Sequence, residues 1–321
     1  MPAPAAATRT PQPGGGGTTT LVSFDVDGTL VRSLSTPHAP ANALHKEAFA
    51  AAFRACFGLE TAIDRVRHDG GTDPLILVKV LVEAHGVGAE AAAAALPAMQ
   101  RAMVEHFAAA EEDDDERGGG AGGARPRARP GDGLELLPGA RETLAALSAL
   151  EGVATCLVTG NLEPIAWGKM RALGVDSLFT APAPSGGYGS DHCSGDTAEG
   201  GMWRDRAELV RIARRRAEAG SGGTGPLSGH WHVGDTPADV RAALAAGAGA
   251  VAVATGAFSA AELRAAADGA LAELAALGAG DGAPPPPPPR VVVLEHGLRD
   301  VAGVLAAMGL EMPPPPPTTT T

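Results

Sequence analysis

Sulfur and aromatic side chains are scarce in this chain. Cysteine occurs three times, at Cys56, Cys156 and Cys193, and the three form no paired motif. So odd and sparse a count speaks against a disulfide framework and favours a reducing compartment, cytoplasm or plastid. Aromatic residues make up 3% of the sequence, and no apolar run approaches the roughly 18 residues of a membrane span. Positive charge is in the minority as well, with 25 Lys and Arg against 37 Asp and Glu. The densest basic cluster, "RIARRRA" at 211–217, has the spacing of a solvated helix face. Neither a nucleic-acid partner nor a membrane is therefore expected. The first twenty residues lack acidic side chains, as transit peptides do. They hold one arginine, Arg9, and no amphipathic pattern, so they read as a disordered tail rather than a clear targeting signal.

Glycine and proline, by contrast, are abundant, and much of the excess lies in runs. "GGGAGGA" fills 118–124, "PPPPPP" 284–289 and "PPPPP" 313–317. Such runs bury no core and read as tails or loop insertions. The expected organisation is a core of residues 21–32 and 134–311 with a helical cap at 33–110. A low-complexity linker at 111–133, a Pro-rich loop at 281–290 and tails at 1–20 and 312–321 complete it.

Periodicity fills in the elements. Leu21 to Val26 reads as a strand. Helices follow over 41–58, where Leu44, Ala48, Ala51, Ala52 and Ala55 share a face, then over 73–86 and roughly 89–110. From Leu136 onward strands and helices alternate: "VATCLV", "HWHV", "AVAVAT" and "RVVVL" are the strands. That alternation implies βαβ units, a parallel sheet and a Rossmann-like α/β fold. Ligands of such sheets bind beyond the carboxyl ends of the strands. Three short stretches, "DVDGT", "TGN" and "GDTPAD", each follow a strand and so fall at that edge.

Asp25 and Asp27 are two residues apart, which on an extended chain points both carboxylates to one side. An Asp-Gly turn explains Asp27 but not the pair. Asp235 closes another strand, and Asp239 sits four residues on, where "TPAD" also reads as a capping box. Converging carboxylates without Cys or His partners suit Mg²⁺. The ion relieves their repulsion and leaves one aspartate free as a nucleophile and the second as an acid and base. Thr159, Gly160 and Asn161 precede a helix and offer a hydroxyl and backbone N–H groups to phosphate oxygens, or simply cap that helix. A transferring phosphoryl group also needs a cation. Lys169 and Arg206 are the two candidates, and spacing alone does not choose between them.

"FDVDGTL", "LVTGN" and "GDTPAD", in that order, resemble the haloacid dehalogenase superfamily, whose cap is inserted after the first motif. The resemblance implies a Mg²⁺-dependent hydrolase of a small phosphorylated metabolite. Asp25 would be nucleophile and metal ligand, and Asp27 acid and base with its backbone carbonyl on the metal. Thr159 would bind phosphate and Asp235 the metal, with Asp239 in support. The family's lysine-proline signature is missing. Arg206 stands 29 residues before Asp235 and Lys169 66 before it, and the family's usual interval favours Arg206 as the phosphate-contacting cation, with Lys169 as the alternative. Asp27 argues for phosphomonoesters over haloacids, because an alkoxide leaving group needs a proton and a halide does not. "GGTD" at 70–73 resembles a cap loop of phosphoglycolate-phosphatase-like members, so Thr72 and Asp73 are candidate substrate contacts, although Asp73 also suits a helix cap. A β-phosphoglucomutase-like transferase would share every motif. A non-catalytic phosphate-binding protein of the same fold is the remaining alternative.

Overall fold

The computed structural model describes residues 19–35, 41–116, 128–181, 185–198, 200–220, 227–278 and 290–314. The tail at 1–18, most of the glycine-rich linker and most of the Pro-rich loop and final tail lie outside them.

Strand β1 (Thr20–Phe24) is the first element among the described residues. A short strand β2 (Val31–Ser33) follows, and then three helices: α1 (Ala43–Phe57), α2 (Asp73–Lys79) and α3 (Ala89–Glu116). Helix α2 continues into a π-helical turn at Val80–Ala84. Strand β3 (Leu134–Leu136) pairs antiparallel with β2, so the two chain segments leading into and out of the helical block form a small ribbon. Beyond it come α4 (Ala140–Ser148), β4 (Val153–Thr159), α5 (Glu163–Ala172), β5 (Gly187–Tyr188) and α6 (Trp203–Gly220). The chain then forms β6 (Gly229–Gly234), α7 (Pro237–Ala245), β7 (Gly249–Val253), α8 (Ala260–Gly278), β8 (Val291–Leu294) and α9 (Val301–Ala307).

Six strands make one parallel sheet in the order β5-β4-β1-β6-β7-β8. Strand β1 is central: Phe24 pairs with Leu157 of β4 on one side and Val233 of β6 on the other. Helices cover both faces, which is why Leu21, Val22 and Phe24 are wholly buried and β1 reads as a continuous apolar run. The helical block keeps a core of its own, where Phe49, Phe53, Leu77, Met99 and Met103 pack together. Gly58 ends α1 in the left-handed region at φ 64° and donates to the carbonyls of Arg54 and Phe53, a glycine cap that a side chain would strain.

The expected and observed elements differ in instructive places. Helix α3 runs to Glu116, past the expected end near 110. The segment preceding α6 looks like loop from composition, yet it supplies the edge strand β5 through a pair of residues too short to show periodicity. Strands β2 and β3 have 3 residues each, and they pair across about a hundred residues of sequence. The basic cluster on α6 is held by acids: Arg216 lies 2.7 Å from Asp191 and Arg214 3.1 Å from Glu218. Among the described residues no helix is long and apolar enough to cross a membrane.

Candidate active site

The carboxyl ends of β1, β4 and β6 meet at one edge of the sheet, where strand order departs to both sides of β1. Asp25 follows β1 directly, and its N–H donates to the carbonyl of Val233 at 2.9 Å. Asp27 begins the turn after it. Gly28 takes φ 90° there, and a Cβ at this position would run into the Asp235 carboxylate. The motif glycine is thus required twice, by backbone conformation and by the close approach of β6. Thr29 donates its hydroxyl to Asp235 Oδ1 at 3.0 Å, tying the two strand ends together.

Both candidate cations reach this edge, and each takes a different aspartate. Arg206, in the second turn of α6, places Nη1 3.0 Å from Asp25 Oδ1 and 2.6 Å from Asp239 Oδ1. Lys169, on α5, donates to both oxygens of Asp27 at 2.9 and 2.7 Å and to Asn161 Oδ1 at 2.8 Å. Asn161 also donates its Nδ2 to Asp27 at 3.0 Å. The sequence-level choice between Arg206 and Lys169 is therefore not a choice in the folded protein.

Two histidines complete the network. Lys169 Nζ lies 3.3 Å from His45 Nδ1, and His45 Nε2 lies 2.9 Å from Asp73 Oδ2. An ammonium donating to Nδ1 leaves the proton on Nε2, so His45 donates to Asp73. Behind the site His232 Nε2 is 3.3 Å from Asp239 Oδ1, and its Nδ1 is 3.1 Å from the Ser23 hydroxyl. His45 blends into an apolar helix face next to Leu44 and Phe49. His230 and His232 were the legible signal: two imidazoles on one side of a buried strand need partners.

Electrostatics separate the four acids. Burial raises Asp25, Arg206 opposes it, and Asp239 and Asp27 add to the rise, leaving this carboxyl above its usual value. Asp235 is driven well above its usual value by burial first and then by Asp239 and Asp25. For Asp27 burial is outweighed by the Lys169 ammonium, with help from His45 and Asn161, and the carboxyl is held low. Asp239 is likewise held low, since Arg206, His232 and Thr236 overcome its burial.

Oxygens of Asp25, Asp235 and Asp239 lie within 4.8 Å of one another. The raised carboxyls of Asp25 and Asp235 mark a negative charge that Arg206 alone does not neutralise, and an all-oxygen donor set fits a hard divalent cation such as Mg²⁺. Asp239 has less to give. Its Oδ2 accepts from the Thr236 N–H at 3.0 Å and hydroxyl at 2.6 Å, and its Oδ1 faces Arg206 and His232. The capping box expected at "TPAD" is present, and the same carboxylate also anchors Arg206.

A cavity of about 250 Å³ opens over these groups, with Asp25, Asp27, His45, Thr159, Arg206 and Asp235 in its wall. Gly160 and Asn161 line it too. A Cβ on Gly160 would collide with the Gly71 carbonyl, so this glycine lets the "GGTD" loop close onto the sheet edge. Asp73 also lines the cavity, accepts from the Leu162 N–H at 3.0 Å and donates its own N–H to the Gly160 carbonyl at 2.8 Å. Thr72 differs from the expectation for it. It occupies the cap position of α2 in place of Asp73, and its hydroxyl is buried without a hydrogen-bond partner and outside the cavity wall.

The sequence matches the haloacid dehalogenase-like hydrolase family over residues 19–247. The chain belongs to that family and is a hydrolase. The match runs from the start of β1 past the end of α7, so it takes in all three strand ends and the helical block between them. No curated protein sequence matches the hydrolase. Its backbone is similar to that of a hydrolase from Pseudomonas syringae, at 20% identity and TM-score 0.46 over 78% of this chain and 90% of that one. A predicted phosphatase from Clostridium acetobutylicum is similar at 16% identity and TM-score 0.45, over 78% and 90% of the two chains. A putative beta-phosphoglucomutase from Thermotoga maritima aligns over 90% of this chain and 98% of that one, at 15% identity and TM-score 0.43.

Proposed function

We propose that the hydrolase is a Mg²⁺-dependent phosphatase of small phosphorylated metabolites, of the phosphoglycolate kind, with Asp25 as nucleophile. The observation that carries this reading is the setting of Asp25: a buried carboxylate at a strand end, 3.0 Å from Arg206, facing a cavity that Thr159 and Asn161 also line. A carboxylate among groups that bind anion oxygens is what an aspartyl-phosphate mechanism requires.

Asp25 Oδ attacks phosphorus, the bond to the leaving oxygen breaks, and the phosphoryl group remains on Asp25. Arg206 and the Thr159 hydroxyl hold the phosphoryl oxygens while Asn161 and Lys169 orient Asp27. Asp27 begins as a carboxylate because Lys169 faces it. As the substrate binds, Asp27 takes up a proton from solvent, because an incoming phosphate dianion raises its affinity for one: like charges disfavour two anions side by side. Asp27 then gives that proton to the leaving alkoxide and regains one from the water that attacks the aspartyl phosphate. Asp25 and Asp235 would hold the Mg²⁺, with Asp239 fixing Arg206 beside them, and the bound ion would supply charge neutralisation at the phosphoryl oxygens. The helical block acts as the cap, and Asp73 and His45 bring its surface to the sheet edge.

Phosphate release from a panel of small monoesters, measured with Mg²⁺ and with chelator, tests the reading. Turnover that needs Mg²⁺ and vanishes in Asp25→Asn is the expected result. A folded protein that releases no phosphate from any member of the panel overturns it.

A further inference from the structure

Helix α2 carries a lysine for which the phosphatase chemistry has no use. Lys79 is 3% exposed, and its nearest carboxylate, Glu83, is 3.9 Å away, beyond hydrogen-bond distance. An ammonium carries three donors, and one with only a long ion pair keeps hydrogen-bonding capacity for an anion beside it. Lys79 lines a second cavity, of about 300 Å³, together with Arg67, Arg241 and Trp203. Against these three cations the wall holds one carboxylate, Asp69, which lies 3.6 Å from Arg67. Arg241 packs 5.1 Å from the centre of the Trp203 ring and donates from Nη2 to both oxygens of Glu273 at 2.8 Å. Trp203 carries Arg204 as well, at 5.2 Å, so its ring is already occupied by cations.

Position connects it to the first cavity. Asp69, Thr236 and Phe258 line both. Asp73, in the wall of the first, and Lys79, in the wall of the second, are six residues apart on one helix, or about 9 Å at the helical rise. We propose that the second cavity holds the far anionic group, a carboxylate or a second phosphoryl, of a substrate whose scissile phosphoryl group lies at Asp25. Lys79 is the principal recognising residue, with Arg67 at the mouth. This rests on the phosphatase reading and narrows it to phosphomonoesters that carry a second anion a few carbons away.

The test compares phosphoglycerate with glycerol phosphate, which differ in the distal carboxylate, on the wild type and on Lys79→Met and Arg67→Gln. The expected wild-type preference for phosphoglycerate is about tenfold or more in kcat/KM, the scale of one charged contact. In Lys79→Met the loss on phosphoglycerate should exceed that on glycerol phosphate by about tenfold and sit in KM rather than kcat. Arg67→Gln, at an exposed position that folding tolerates, should move the ratio the same way by less. Lys79→Met should melt no lower than the wild type, since it removes a buried charge. Equal losses on both substrates, or no wild-type preference, with bisphosphates equally indifferent to Lys79, overturn the second-anion site while leaving the phosphatase reading intact. If neither substrate nor any other member of the monoester panel is turned over, the phosphatase reading fails, and calorimetry decides the site separately. A phosphonocarboxylate should then bind more tightly than the matching alkyl phosphonate in a Lys79-dependent manner, and no difference overturns the proposal. If bisphosphates show the Lys79 effect and phosphoglycerate does not, the carboxylate form is overturned and the phosphoryl form supported.

Discussion

Asp25 and Asp27 stand two residues apart on one strand end, each beside a single cation, yet the protein treats them in opposite ways. The Asp25 side chain is 5% exposed and shares Arg206 with Asp239, so its carboxyl lies above the usual value. The Asp27 side chain is 35% exposed and has Lys169 and Asn161 to itself, so its carboxyl lies below. Burial costs both of them. What differs is whether the cation is shared, and a shared guanidinium cannot offset two carboxylates. Environments that drive neighbouring acids apart are how one site gains two chemical roles.

The sharpest way to break the comparison is Asp25→Asn, which should cut phosphate release at least about a thousandfold, with Mg²⁺ present throughout. Asp27→Asn should cost about a hundredfold to ten-thousandfold in kcat, the range of a positioned acid and base, and should spare covalent labelling of Asp25 better than it spares turnover. Arg206→Met removes the cation that two buried carboxylates share. It should lower stability by about 3–5 kcal/mol in urea melts, the cost of stranding buried charge. Lys169→Met should cost less, about 1 kcal/mol, since water reaches Asp27. It should also move the alkaline limb of the kcat profile, where Asp27 loses the proton it donates, to higher pH, because the charge holding the Asp27 carboxyl low is gone. A Lys169→Met profile with an unmoved alkaline limb would sink the pairing.

The remaining effect concerns the metal and pH. Asp25 and Asp235 have raised values in the fold, so the native state keeps their protons where the unfolded chain has released them. Above the ordinary carboxyl value near 3.8, their contribution to stability falls as pH rises. Asp239 and Asp27 run the other way: their contribution is complete above that value and is lost only as pH drops through their lowered ones. Mg²⁺ should therefore raise the melting temperature more at neutral pH than at pH about 4. At a hundred times its dissociation constant the ion should add about 2.7 kcal/mol. A melting temperature indifferent to Mg²⁺ at neutral pH would show that the ion does not bind these acids.

Much of this arrangement is legible along the chain. The three motifs each follow an apolar strand, and a parallel sheet puts strand ends on one edge, so Asp25, Thr159 and Asp235 are neighbours by topology alone. The capping box at Thr236 and Asp239 is local and equally readable. The cations are not. Whether Lys169 or Arg206 reaches the edge depends on how α5 and α6 pack on the sheet, and both do, one to each aspartate. His45 is invisible because a single imidazole on an apolar helix face carries no periodic signal. Lys79 is hidden for a related reason: its place on α2 looks like an ordinary lysine until the second cavity forms around it. The ribbon of β2 and β3 and the edge strand β5 are too short for any pattern.

The sequence by itself determined the fold class, the order of the motifs and the identity of the acids at the sheet edge, because these follow from strand ends and from local hydrogen bonding. Only the tertiary structure decided which charge meets which. That pairing depends on side chains of distant helices arriving within about 3 Å, where Coulomb energy changes steeply with distance and burial. Asp25 and Asp27 are near-identical in sequence, and their partners alone make them different.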